Sequence, residues 1–197
     1  MKRILEDGRT LMASYDDINE FFQTNNIIGK EISDILLSEA CYMAFDYEED
    51  DDYPDNVADC FLEMDDPVCI AFTDGTNLEV EYCGDGPIIL GYNTAKIKEY
   101  PKNKGIKFPF QNMFKYGIGK KITDIQFEKS DERMMFPEYR GINMSEDDDG
   151  IAEIRFVLDD DTALVANGFI DYFDFGHIKN SNRYVRITYR ELLNGIN

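Results

Sequence analysis

The sequence predicts an α+β fold that is β-rich overall: two tandem copies of a small antiparallel β-sheet domain, each with a short helix. Three observations predict it. A short segment recurs. A pattern of alternating apolar residues recurs behind it at nearly the same distance. Turn-forming residues separate the alternating runs. Ile28-Gly-Lys-Glu-Ile-Ser-Asp-Ile35 returns as Ile118-Gly-Lys-Lys-Ile-Thr-Asp-Ile125, with six of eight positions identical at an offset of 90. Pro67–Leu78 returns as Glu153–Leu164 at an offset of 86. Val68, Ile70, Phe72 and Leu78 then fall opposite Ile154, Phe156, Leu158 and Leu164. Upstream, Phe22-Gln23 answers Phe110-Gln111. A period near 90 exceeds the roughly 20 to 50 residues of a solenoid unit and suits a small domain. The expected halves are 1–100, strongly acidic, and 101–197, with a lysine-rich connector at about 96–121.

Each element has a local reason. Ser14 is the expected N-cap of a helix, with Asp16, Asp17 and Glu20 near its start, where the dipole favours acids. Ile18, Phe21 and Phe22 give that helix an apolar stripe, and Asn25-Asn26 ends it. The repeated box reads as a glycine turn followed by a strand alternating through Ile32, Asp34 and Leu36, or on its other face Ile35 and Leu37. Val68–Phe72 and Leu78–Tyr82 flank Asp74-Gly75, the pattern of a two-residue primed hairpin turn. In the second copy Asp159-Asp160-Asp161-Thr162 stands in its place and predicts a longer or looser turn. Gly86–Gly91, Ala166–Phe175 and Tyr184–Tyr189 read as further strands, and Arg190–Leu193 as a closing helix. Asp46–Asp66, with 11 acids in 21 residues, and its counterpart Asp131–Asp149 read as acidic loops or short helices at one end of a sheet.

Composition supports a packed core despite heavy charge. Of 197 residues, 43% are apolar and 13% aromatic, which acidic disordered tails lack. The formal net charge is -20. Residues 31–95 carry 18 Asp or Glu and no Lys or Arg, and residues 96–121 carry eight Lys against Glu99 alone. Such self-repulsion destabilises a compact state, so a benefit outside the fold is expected. The N-terminal segment lacks the apolar core of a signal peptide, and no apolar run approaches the roughly 20 residues of a membrane span. A cytoplasmic protein with reduced, buried thiols at Cys41, Cys60, Cys69 and Cys83 is expected.

Catalytic and metal signatures fail. Placing Gly150 at the sixth position of a calcium loop puts Phe156 at the twelfth, where a bidentate acid is required. His177, the sole histidine, has no accompanying nucleophile signature and reads as structural or surface-exposed. No cofactor, catalytic residue or metal ligand is assigned. What stands out is acid interleaved with aromatics. The expected partner-binding residues are Tyr47, Glu48, Glu49, Asp50, Asp51, Asp52, Tyr53, Asp55 and Asp59, extended by Glu146, Asp147, Asp148 and Asp149. Charge steers encounter and tyrosine anchors it.

The expectation is a non-enzymatic acidic inhibitor that captures a basic partner, a nuclease or other nucleic-acid-handling effector, by imitating phosphate charge. It makes no direct contact with nucleic acid or membrane. Immunity proteins against nuclease toxins and anti-CRISPR or other anti-defence inhibitors use this physics. The alternatives are a duplicated structural or regulatory domain with weak divalent-cation binding and, third, an enzyme.

Overall fold

A computed structural model describes residues 2–37, 61–64, 67–82, 87–95, 117–129, 138–139, 142–143, 151–169 and 172–178. The elements are β1 (Lys2–Ile4), β2 (Thr10–Met12), α1 (Tyr15–Thr24), β3 (Ile32–Leu36), β4 (Phe61–Met64), β5 (Val68–Phe72), β6 (Asn77–Tyr82), β7 (Ile88–Tyr92), β8 (Ile122–Lys129), β9 (Glu138–Tyr139), β10 (Ile142–Asn143), β11 (Ile151–Leu158), β12 (Ala163–Phe169) and β13 (Tyr172–Ile178). They form two separate antiparallel sheets and a short β9–β10 ribbon. The first sheet has the order β1-β2-β7-β6-β5-β3, the second β4-β13-β12-β11-β8. Among the described residues α1 is the one α-helix.

The path β3-β5-β6-β7 in the first sheet and β8-β11-β12-β13 in the second has the same order and the same registers. Val68↔Val80, Ile70↔Leu78 and Ala71↔Asn77 in one correspond to Ile154↔Ala166, Phe156↔Leu164 and Val157↔Ala163 in the other. Glu79↔Gly91 corresponds to Val165↔Gly176, with the offset falling from 86 to 85 because one residue fewer separates Gly168 from Phe173 than Tyr82 from Ile88.

The two boxes also share a bulge. The register slips between Ile32 and Asp34 against β5, and at the matching place against β11. An extra residue breaks the two-residue alternation. Ile32 and Ile35 therefore both face the core, with Ser33 and Asp34 exposed between them. Simple alternation through Ile32, Asp34 and Leu36 is corrected accordingly.

The hairpins correct two turn expectations. Phe72 N–H donates to Thr76 O at 2.9 Å and Gly75 N–H to Phe72 O at 3.0 Å. Only Gly75 has positive φ (84°), so this is a type I turn closed by one left-handed residue, not a two-residue primed turn. The second hairpin is neither longer nor looser. Leu158 N–H donates to Thr162 O at 2.8 Å, Asp161 N–H to Leu158 O at 3.1 Å, and Asp161 takes the left-handed position with φ 63°. Aspartate tolerates that conformation, whereas a β-branched residue does not. Gly75→Val is expected to destabilise by about 1 kcal/mol or more. An unchanged urea midpoint for that variant would contradict the turn.

Two segments differ from expectation. Ala166–Phe175 is not one strand: β12 ends at Phe169 and β13 begins at Tyr172, paired back upon it. Phe61–Met64, expected within an acidic loop or short helix, is strand β4, on the edge of the second sheet beside β13. Residues 184–193 lie outside the described residues.

Helix α1 follows its local signals. Ser14 caps it, accepting from Asp17 N–H at 3.3 Å, and Asn25 closes it. Of its buried residues, Ile18 and Phe22, the latter packs against rings of the second sheet. Phe22 meets Phe156 at 5.8 Å between ring centroids and Phe127 at 5.9 Å. One continuous core thus takes Ile32, Ile70, Phe72, Leu78 and Val80 from one sheet and Ile122, Ile154, Phe156, Leu158 and Leu164 from the other. Ile32, Ile70, Ile122 and Phe156 have no exposed surface. Tyr82 reaches across the same core to Phe173, at 5.8 Å.

Candidate functional site

The expected partner-binding residues Tyr47, Glu48, Glu49, Asp50, Asp51, Asp52, Tyr53, Asp55 and Asp59 lie outside the described residues, as do Glu146, Asp147, Asp148 and Asp149. Their points of attachment are described. Residues 38–60 follow β3 and precede β4; residues 130–150 join β8 to β11, with β9 and β10 between. The β3–β5 pair runs from Ile32↔Phe72 at the hairpin to Leu36↔Cys69, and β8–β11 runs from Ile122↔Leu158 to Lys129↔Ile151. The 130–150 connection is therefore rooted at the sheet end remote from the Asp160 hairpin, whereas the 38–60 connection leaves β3 remote from the Asp74 hairpin and enters β4 at Phe61, opposite Gly176 and on the Asp160-hairpin side of the second sheet.

The hairpin ends show what the repeated box does. Gly29 and Gly119 take φ of 90° and 79°, which glycine adopts without steric cost. The lysine that follows binds the aspartate of the facing hairpin: Lys30 Nζ to Asp74 at 2.5 Å, Lys120 Nζ to Asp160 at 2.9 Å. Each of those aspartates also accepts from the threonine two residues on, through hydroxyl and backbone N–H. The Lys30 and Thr76 bonds hold the Asp74 carboxyl down to about 2. Burial opposes the same shift at Asp160, but the Thr162 and Lys120 bonds outweigh it. The box aspartates serve locally, Asp34 and Asp124 each accepting from the next residue's N–H at 2.9 Å.

Other described acids are likewise held by internal cations. Arg9 bridges Asp7 at 2.8 Å and Glu81 at 2.5 Å. Arg155 bridges Glu128 at 3.0 Å and the buried Glu153. Lys2 meets Glu20 at 3.0 Å. A buried carboxylate is tolerated only when paired or hydrogen-bonded, which accounts for Glu81 and Glu153, whereas Asp7, Glu20 and Glu128 are exposed partners. Glu79, 7% exposed, accepts from Thr94 Oγ1 at 2.5 Å.

His177 resolves to the structural alternative. It is 2% exposed in β13, paired with Leu164, and its Nε2 lies 3.0 Å from Thr162 Oγ1. Thr162 donates its single hydroxyl proton to Asp160 at 2.6 Å, so the ring contributes the Nε2–H to that contact. The acid therefore orients the threonine, not the imidazole, the reverse of what base activation of a nucleophile requires. Burial pushes the ring down to about 4, with Asp160 opposing and Lys120 assisting. Burial, then Glu79 and Asp34, pushes the Cys69 thiol up to about 12, which leaves it inert. The other three cysteines lie outside the described residues.

Among the described residues no group of three or more His, Cys, Asp or Glu side chains is placed to hold a metal. Among them, too, no helix is long and apolar enough to cross a membrane. Sequence reasoning missed the Lys30–Asp74 and Lys120–Asp160 pairs, though box lysine and hairpin aspartate recur together. It also missed the ion pairs of Arg9 and Arg155, which carry no local signature. No protein-family model, curated protein or solved structure matches the chain.

Proposed function

We propose that the chain is a tandem pair of one β-domain, in the cytoplasm, that holds acidic connections out to a basic, nucleic-acid-handling protein and blocks it by imitating phosphate charge. The observation that carries this reading is a contrast in how acids are used. Seven acids of the described scaffold, Asp7, Glu20, Asp74, Glu81, Glu128, Glu153 and Asp160, are paired with Lys2, Arg9, Lys30, Lys120 and Arg155. Residues 46–59 add eight acids in fourteen positions, within a 65-residue window that contains no Lys or Arg at all. Stability alone does not call for that density, since like charges raise the energy of a compact state. A basic groove that normally tracks a nucleic-acid backbone is its natural complement.

The shared strand order, registers, bulge and lysine–aspartate contacts support the tandem reading. They are what one ancestral domain would leave in both halves. β4 is the exception, since it follows β3 in sequence and joins the other sheet.

The functional test is competition. A protein captured from host cells by the wild-type chain is offered labelled duplex DNA and single-stranded RNA. Wild-type chain is expected to displace the nucleic acid, and the variant E49Q/D50N/D51N/D52N to lose most of that ability while melting at an unchanged or higher temperature. Equal displacement by both chains would remove the acidic segment from the mechanism.

A further inference from the structure

Two pairs of equivalent residues touch each other across the molecule. Glu31 and Lys121, 90 apart like their boxes, face each other in an antiparallel bridge between the two sheets. Its flanking bonds come in equivalent couples. Ile32 N–H donates to Lys120 O at 2.8 Å, and Ile122 N–H to Lys30 O at 3.0 Å. Gly29 N–H donates to Ile122 O at 2.7 Å, and Gly119 N–H to Ile32 O at 2.8 Å. This pattern makes Glu31 and Lys121 a non-hydrogen-bonded pair, in which facing side chains come closest. The second pair, Tyr82 and Gly168, is 86 apart like the hairpin strands. A Cβ on Gly168 would lie 2.3 Å from Tyr82 Cδ1 and 2.9 Å from Cγ, so the ring occupies the space a side chain at 168 would need.

A residue that touches its own equivalent lies on the twofold axis relating the halves. The axis enters at the surface between Glu31 and Lys121 and reaches the core between Tyr82 and Gly168. In a symmetric dimer of identical chains an on-axis residue meets itself. Glu against Glu or Lys against Lys is repulsive in a facing pair. Two tyrosines would overfill the space now shared with Gly168, and two glycines would leave a cavity. Here both on-axis positions hold unlike residues that fit, opposite charges at the surface and large against small inside. The off-axis positions beside Glu31 and Lys121 are identical, Gly29 and Gly119, Lys30 and Lys120, Ile32 and Ile122, whereas beside Tyr82 and Gly168 they differ, as at Glu81 and Asn167.

We infer that each half carries an interface made to accept the other half of its own chain and to refuse its own copy in a second chain, with Glu31/Lys121 and Tyr82/Gly168 as the deciding pairs. The inference rests on the tandem reading of the two halves.

Exchange cycles in the full chain test it. At 0.1 M salt, E31K and K121E are each expected to lower Tm by roughly 1–3 °C, and the exchanged double variant to return to about the wild-type value. Y82G and G168Y should each lower Tm further, and Y82G/G168Y should recover about half of that loss or more, because the ring refills the same space from the opposite sheet. Doubles that melt no higher than the summed losses of their singles would overturn the inference. If Y82G or G168Y fails to fold, the surface charge cycle decides alone. Gly29→Ala and Gly119→Ala keep the two ideas distinguishable, since a Cβ at either site meets nothing within 4 Å and only the positive φ is strained. Equal losses at these off-axis sites are expected. Unequal losses would count against the tandem reading, whereas equal losses without recovery in the exchanged doubles would sink the axis inference only.

Discussion

Phe156→Ala is expected to destabilise the protein by about 3–5 kcal/mol, the largest effect of any single substitution considered. Phe156 has no exposed surface and is among the largest fully buried side chains. It meets Phe22 in a T-shaped contact, at 5.8 Å and 77°, so it joins the helix to a sheet far along the chain. Alanine would leave a cavity between two rigid strands and take away the ring on which α1 rests. Urea unfolding of the full chain checks this, and a Phe22→Ala/Phe156→Ala cycle should show coupling of roughly 0.5–1.5 kcal/mol. A loss below about 1 kcal/mol for Phe156→Ala would mean that the two sheets do not share this core.

Acid should destabilise the fold through His177. Its folded value lies at about 4, below the ordinary 6.5, because burial disfavours the imidazolium. Above pH 6.5 the ring is neutral in both states and its contribution is complete. Between 6.5 and 4 the unfolded chain takes up a proton that the folded chain refuses, so stability falls as pH falls. Below about 4 both states are protonated and the loss stops growing, at roughly 3 kcal/mol. Carboxylates such as Asp74, held down to about 2, lose their contribution only below the ordinary 3.8, in a separate window. Urea midpoints measured from pH 8 to 4 for wild type and His177→Gln isolate the histidine. The difference between the two curves should change sharply between pH 6.5 and 4, and parallel curves would contradict a buried neutral ring.

The parts of the fold written in local chemistry were readable in advance. Ser14 capped its helix, Asn25 ended it, and Val68–Phe72, Leu78–Tyr82 and the two boxes became strands. Ile32, Ile70, Ile122 and Phe156 were legible as core because a recurring apolar pattern marks a buried face. What failed needed information from elsewhere in the chain. The bulge after Ile32 depends on a partner strand, so the spacing of Ile32, Asp34 and Leu36 looked regular. Phe61-Leu-Glu-Met64 sits beside acids and is a strand only because β13 offers an edge to pair with. Asp161 copied a glycine's role at positive φ, which made the second hairpin appear looser than it is.

For the site, the sequence exposed the acidic density but not the ion pairs that separate structural acids from the rest. Arg9–Glu81 and Arg155–Glu128 span 72 and 27 residues, distances over which charge pattern predicts nothing. The box showed its purpose only when both copies were seen gripping their hairpins through Lys30–Asp74 and Lys120–Asp160.

The most direct measurement is the association rate between the full chain and the basic protein it captures, at 0.1 and 1 M salt, for wild type and for E49Q/D50N/D51N/D52N. If the acidic segment steers the encounter, wild-type association at 0.1 M salt should be about tenfold faster or more than that of the variant. Raising the salt shortens the screening length from about 10 to about 3 Å and should bring the two together, with dissociation changing less. Rates that ignore both the substitutions and the salt would mean that the acids only keep the protein soluble, and the phosphate-mimic account would be wrong.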